Sequence, residues 1–213
     1  MSVTIIGAGK MARGIGMRMV QAGESVTIMD RTPENAQALA QELDATSRLG
    51  ALVKAAPLGG PIMDDMVVLA LFYPVEREVV GQLQQQLAGK TTVEITNPTN
   101  EAYDDLATPP GSSAAEEIAA MLPNSIVVKA FNTTFAGTLV EGSVAGQPLD
   151  VFLASDDPNA KARLALILKA GGLRPLDAGP LKRARQLEGL GLLHITQQFT
   201  LNTGFSSAVK IIS

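Results

Sequence analysis

Ser2-Val3-Thr4-Ile5-Ile6-Gly7-Ala8-Gly9-Lys10-Met11-Ala12 opens the chain, and Ser25-Val26-Thr27-Ile28-Met29-Asp30 follows after one helix length. Two short β-branched apolar runs flank a glycine turn and a helical pattern, and an acid stands about 20 residues beyond the glycines. This is the layout of a dinucleotide-binding βαβ unit. Gly7 permits the tight turn, and Gly9 lets backbone N–H groups approach a pyrophosphate with no β-carbon in the way. Ala12 replaces the third glycine and still lets the helix, which starts at Lys10 and Met11, pack close to the strand. The bland alternative is an ordinary βα turn without a ligand.

Working outward, the 213 residues fit one large domain or a domain with a small appendage, long enough to bury a sizeable core. Apolar residues make up 46% and charged residues 18%, which excludes a disordered or fibrous chain. The net charge is −4, from 17 basic and 21 acidic residues, with no basic patch, so nucleic acid is not an expected partner. Met66 to Phe72 is the longest apolar run, far too short for a membrane span, and Ser2 leads straight into a strand rather than a signal peptide. There is no cysteine and one histidine, His194, which argues against thiolate chemistry, disulfides or a multi-histidine metal site. A cytoplasmic protein without a metal is the expectation.

Strand and helix patterns alternate to the end, as in an α/β fold with a doubly wound, mainly parallel sheet. Helices are expected at about 10–22, 32–43, 75–88, 113–122, 158–170 and 181–200, and strands at 51–53, 66–72, 91–96, 125–130, 150–154 and 173–177 besides the opening pair. Residues 1–135 read as the dinucleotide-binding unit and 136–213 as an extension packed on it.

Three loops follow expected strands: Phe72-Tyr73-Pro74-Val75, Asn97-Pro98-Thr99 and Ala130-Phe131-Asn132. Ligands of open α/β sheets bind at that carboxyl edge. The residues before Pro74 and Pro98 are expected to be extended and could wall a flat ring, while Asn132 could orient a carboxamide. Each alone is as well explained by turns and core packing; together they outline a cleft.

The opening glycine turn, Ile95-Thr96-Asn97-Pro98-Thr99, Val128-Lys129-Ala130-Phe131-Asn132-Thr133, Asp177-Ala178-Gly179-Pro180-Leu181 and Ala184-Arg185-Gln186-Leu187-Glu188 together resemble the deazaflavin-dependent NADP oxidoreductases. They are also similar to the cytosolic reductase domain of the six-transmembrane metalloreductases. The resemblance implies an NADP-binding Rossmann domain that holds nicotinamide against a flavin-like ring, and a homodimer. Under it, Gly7 to Ala12 and Asp30 to Thr32 belong to the cofactor site, with Lys10, Met11, Arg31 and Thr32 holding the adenine-side half and Phe72 to Val75, Asn97, Pro98 and Ala130 to Asn132 the nicotinamide side. The partner would be a small redox acceptor: a deazaflavin, a flavin or another planar molecule. A non-catalytic NADP(H) sensor and a soluble ferric or flavin reductase are the alternatives.

Asp30 would bind a ribose 2′-hydroxyl and repel a 2′-phosphate, which reads as NAD(H). Arg31 and Thr32, at a helix start, suit a 2′-phosphate. The family usually has a small polar residue before that arginine, so Asp30 departs from the pattern; NADP(H) is the preferred assignment. No residue is assigned as acid or base, since hydride transfer between two rings depends mostly on stacking, distance and water exclusion. His194 lies on an apolar helical stripe and reads as a core or interface residue, and Lys129 as either a ligand contact or a structural ion pair. The paired acids at 64–65, 104–105, 116–117 and 156–157 read as solvated loops and helix starts.

Overall fold

The computed structural model describes residues 2–47 and 49–212. Its central sheet is built from β1 (Ser2–Ile6), β2 (Ser25–Asp30), β3 (Val53–Pro57), β4 (Met66–Leu69), β5 (Thr91–Glu94), β6 (Ile126–Lys129), β9 (Asp150–Ala154) and β10 (Arg174–Gly179). The strand order is β10-β9-β6-β5-β4-β1-β2-β3. Six strands thus follow the doubly wound order 3-2-1-4-5-6, whose direction reverses between β1 and β4. All pairings among those six are parallel; β9 meets β6 antiparallel at Lys129 and Ala154, and β10 runs parallel to β9. The mainly parallel α/β reading is borne out.

The near-continuous apolar strands follow from burial on both faces. Alternate residues point to opposite layers: Ile5 and Val68 pack with Ile15 and Met19 of α1 (Lys10–Gln21), Leu39 and Leu43 of α2 (Pro33–Thr46), Leu139 of α5 (Ala136–Glu141) and Leu164 of α6 (Pro158–Ala170). Ile6 and Val67 pack with Val79 and Leu83 of α3 (Tyr73–Leu87), Ile118 of α4 (Ala114–Met121) and Ala184 of α7 (Ala184–Leu201). Helix starts obey local chemistry. Ser113 accepts from the Glu116 amide at 3.2 Å, and Asp157 from the Ala160 amide at 2.8 Å ahead of Pro158.

Several elements differ from the sequence expectation. The third strand occupies Val53–Pro57 rather than 51–53; it is a sheet edge paired only with β2, so it carries exposed Lys54 and Ala55 and tolerates a proline. The fourth stops at Leu69, and α3 begins already at Tyr73. The stretch after Asn132 holds the short helix α5 and a two-stranded hairpin, β7 (Ser143–Val144) with β8 (Gln147–Pro148), too short to leave a periodicity. No helix among the described residues is long and apolar enough to cross a membrane.

Candidate functional site

The glycine turn lies between β1 and α1, at the point where strand order reverses. Gly7 has φ 108°, and a β-carbon there would sit 2.4 Å from the Ala70 carbonyl, so the turn after β1 and the turn after β4 touch. Gly9 differs: its β-carbon direction is open, with nothing within 4 Å. It is the N-cap of α1 and supplies no side-chain cap, so the first amides of the helix have no side-chain acceptor from it. An anion at this point meets both the free amides and the positive end of the helix dipole. Lys10 is exposed beside it, Met11 half-buried and Ala12 buried.

Asp30 ends β2 next to this turn. Its Oδ2 accepts from the Ala8 amide at 2.9 Å and its Oδ1 from the Thr32 amide at 2.8 Å. The carboxylate therefore braces the glycine turn against the start of α2. Arg31 is exposed and Thr32 is the N-cap of α2, without a side-chain cap bond.

The three remaining loops do lie side by side, after the neighbouring strands β4, β5 and β6. Phe72 is 86% exposed at the N-cap of α3, in extended conformation (φ −80°, ψ 145°). Tyr73 was expected to be extended before Pro74; it is the first helical residue instead, because Pro74 falls within the first turn, where its missing N–H costs nothing. Tyr73 donates to Glu117 at 2.5 Å; burial and that acceptor push its phenol up to about 12, so it stays a neutral tether between α3 and α4. Pro74 is exposed and Val75 half-buried.

Asn97 and Asn132 are linked twice. Asn97 Nδ2 donates to the Asn132 carbonyl at 2.7 Å, and Asn132 Nδ2 donates to Asn97 Oδ1 at 2.9 Å and to the Leu187 carbonyl at 2.7 Å. Asn132 Oδ1 is buried without a partner. Pro98 and Ala130 are buried. Phe131 is fully buried in a left-handed conformation, φ 62°, uncommon for a bulky residue; the Thr134 amide and hydroxyl both bond its carbonyl, at 2.9 and 2.6 Å.

Beneath these loops lies a charged cluster that sequence reading missed except for Lys129. Its ammonium donates to Glu94 at 2.6 Å, to the Thr96 carbonyl at 2.6 Å and to Glu188 of α7 at 2.8 Å, so Lys129 is the structural ion pair. Burial alone would lower Lys129, but Glu94 and Glu188 hold it above the ordinary lysine value. Glu94 also accepts from the amide and hydroxyl of Thr96, at 2.6 and 2.5 Å. Glu188 accepts from the Ala114 and Ala115 amides at the start of α4, at 3.0 and 3.4 Å; burial pushes it upward, but these are the bonds of a carboxylate, and we assign it as ionised. Glu76, one residue past Val75, completes the group. The one sequence signal was the acid and base ending adjacent strands, Glu94 opposite Lys129.

His194 is buried, 4.3 Å from the Phe135 ring centroid, with Nε2 2.9 Å from the Ser207 hydroxyl; burial lowers its imidazole. It thus has a packing role. Of the paired acids, Asp64 is not solvated: it is buried and accepts from Thr4 at 2.7 Å.

Residues 2–98 match the family described as NADP oxidoreductase, coenzyme F420-dependent. The chain is 29% identical over 203 residues to the F420-dependent NADP reductase of Methanothermobacter marburgensis, covering 88% of each. It is 30% identical over 190 residues to the metalloreductase STEAP3 of Rattus norvegicus; these cover 89% of the chain but 36% of that protein, so it spans about a third of the metalloreductases it matches. A crystal structure from Arthrobacter sp. FB24, assigned as an F420-dependent NADP reductase, superposes with a TM-score of 0.86 at 26% identity over 99% of both chains. The resemblance read from the motifs is borne out: the chain is similar to NADP-dependent oxidoreductases, among them an F420-dependent NADP reductase and the metalloreductases.

Proposed function

We propose that this chain binds NADP(H) across the carboxyl edge of its sheet and passes hydride between the nicotinamide and a planar acceptor of the deazaflavin or flavin class. The observation that carries the proposal is the open space above Gly9 at an uncapped helix start, flanked by Arg31 and Thr32 and continued by three converging loops. The residues present fit the cofactor. Amides at the start of α1 would hold the pyrophosphate, and Arg31 with Thr32 the 2′-phosphate. Asp30 accepts one backbone N–H on each oxygen and keeps further acceptor positions, so the preference for NADP(H) rests on Arg31 and Thr32 and not on Asp30. When bound, the nicotinamide supplies the hydride; the chain orients it and shields it from water. Phe72 is the exposed aromatic available to cover a ring.

Calorimetric titration with NADPH and NADH, followed by turnover with deazaflavin, flavins, quinones and ferric chelates, tests the proposal. Tighter binding of NADPH and consumption of NADPH with a flavin-type ring are expected. Binding of neither cofactor at millimolar concentration removes the proposal, and binding without turnover of any acceptor leaves a sensor.

We also propose a homodimer. Leu193, Phe199 and Leu201 of α7 and Phe205, Ile211 and Ile212 of the tail are each exposed, and the Phe199 and Phe205 rings meet edge to face at 5.7 Å; this apolar C-terminal surface supports pairing with a second copy. Light scattering at tens of micromolar should give twice the 22.2 kDa chain mass, and a monomer mass would refute it.

A further inference from the structure

Glu76 is the one acid of the buried cluster that nothing in the fold accounts for. It is fully buried in the first turn of α3, and neither carboxyl oxygen has a hydrogen-bond partner. The charged groups bearing on it are Glu94 of β5, Lys129 of β6 and Glu188 of α7. Lys129 has three donors, and all are committed to Glu94, Thr96 and Glu188. With Glu94 and Glu188 ionised and Lys129 charged, the group already holds one negative charge in excess. A second would be buried without a cation or a donor, which is the costly case. Burial first, and then Glu94, pushes the Glu76 carboxyl well above the ordinary value.

The cluster is placed under the redox end of the cleft. Glu76 follows Val75 directly, Glu94 lies three residues before Asn97, and Lys129 lies three before Asn132. Each loop assigned to the nicotinamide side therefore has one member of the cluster at its root.

We propose that Glu76 is a redox-linked proton site, protonated when the neutral reduced nicotinamide lies over these loops and deprotonated when the cationic oxidised ring does. The inference rests on the cofactor placement proposed above. The linkage forms no bond to the cofactor and moves no electrons: Glu76 gives its proton to bulk water as the oxidised cofactor binds, and regains one when the reduced cofactor replaces it. Hydride passes separately to the acceptor. The cluster thus favours the oxidised ring increasingly as pH rises, and makes the enzyme a stronger hydride donor under alkaline conditions.

Calorimetry of the full-length protein in two buffers of different ionisation enthalpy measures the protons released on binding. NADP+ should release more than NADPH, by up to about one proton per site, because linkage requires it. The 2′-phosphate, which titrates at about pH 6, contributes to both and cancels in the comparison. The ratio of NADP+ to NADPH affinity should rise with pH by up to about tenfold per unit within the titration window. In Glu76→Gln, the excess release and the pH dependence should both vanish.

Equal release by the two cofactors, or excess release that persists in Glu76→Gln, overturns the proposal while leaving the NADP(H) site standing. Binding of neither cofactor overturns the site itself. A cofactor-free measurement guards against a variant that folds poorly. Since the folded protein holds the Glu76 proton more tightly than the unfolded chain, wild-type stability should fall as pH rises above the ordinary glutamate range, and Glu76→Gln should lack that slope. The same slope in both proteins refutes a protonated Glu76.

Discussion

Gly191 of α7 lies so close to Asn97 that a β-carbon at residue 191 would stand 2.2 Å from Asn97 Oδ1 and 2.7 Å from its Cγ. The C-terminal helix therefore forms part of the floor of the candidate cleft. Asn97 cannot swing aside freely, because both ends of its amide are bonded to Asn132. Gly191→Ala should cost about 1–3 kcal/mol, the range for overpacking a filled site, and weaken nicotinamide cofactors of both kinds. Thermal melting and NADPH titration check this; an unchanged melting temperature and affinity would show that the contact relaxes without consequence.

Lys129 balances two buried carboxylates, and its loss should be felt by the whole fold. Lys129→Met leaves Glu94 and Glu188 facing each other without a cation, and about 3–5 kcal/mol of stability should go with it. Combining Lys129→Met with Glu94→Gln and Glu188→Gln should recover much of that loss, because a neutral cluster no longer needs the ammonium. Urea denaturation of the single and triple variants gives both numbers. A single variant within 1 kcal/mol of wild type, by that measurement and against the range for a broken buried pair, would mean that the cluster is less charged than its geometry implies.

What the sequence revealed and what it concealed divide along physical lines. The βαβ opening was legible because Gly7, Gly9 and Asp30 serve a turn, an open approach and a strand end, demands that few other residues meet. Strands β4 and β6 were legible because burial on both faces forces apolar runs. The cluster was not, because Glu76, Glu94 and Glu188 lie far apart in the chain and each reads locally as an ordinary helix or strand-end acid. Asp30 illustrates a subtler gap. Its position suggested contact with a ribose, and the fold adds a second task, bracing the amides of Ala8 and Thr32, that side-chain identity does not encode.

Asp150 ties the C-terminal tail to the sheet. It is buried, accepts from Arg174 at 2.7 and 2.5 Å, from Lys210 at 2.8 Å and from the Ile211 amide at 2.8 Å, while Arg174 also reaches the Ile211 carbonyl. Burial would raise its carboxyl, but these donors hold it at about 2. The folded value lies below the unfolded one, so this stabilisation is complete above the ordinary aspartate range and disappears as pH falls from about 4 to about 2. Asp150→Asn should lose about 1–2 kcal/mol at neutral pH, flatten the acid limb and expose the tail to proteolysis. Equal acid limbs in the two proteins would assign the acid sensitivity elsewhere.

Cofactor choice turns on two adjacent residues with different attachments. Arg31 is exposed at the start of α2, whereas Asp30 is held by the amides of Ala8 and Thr32. If Arg31 meets the 2′-phosphate, Arg31→Ala should weaken NADPH by about 1.5–3 kcal/mol, the range for a charged hydrogen bond, and leave NADH nearly unchanged. Asp30→Asn keeps the shape but places an amide nitrogen where one backbone N–H now finds an acceptor, so the glycine turn should loosen and both cofactors weaken together. Were Asp30 instead the ribose ligand of an NAD-type site, the same change would weaken NADH and improve NADPH. Affinities of the two variants for both cofactors decide the matter: equal losses in Arg31→Ala would show that the arginine merely lies against the adenine, and the 2′-phosphate assignment would fall.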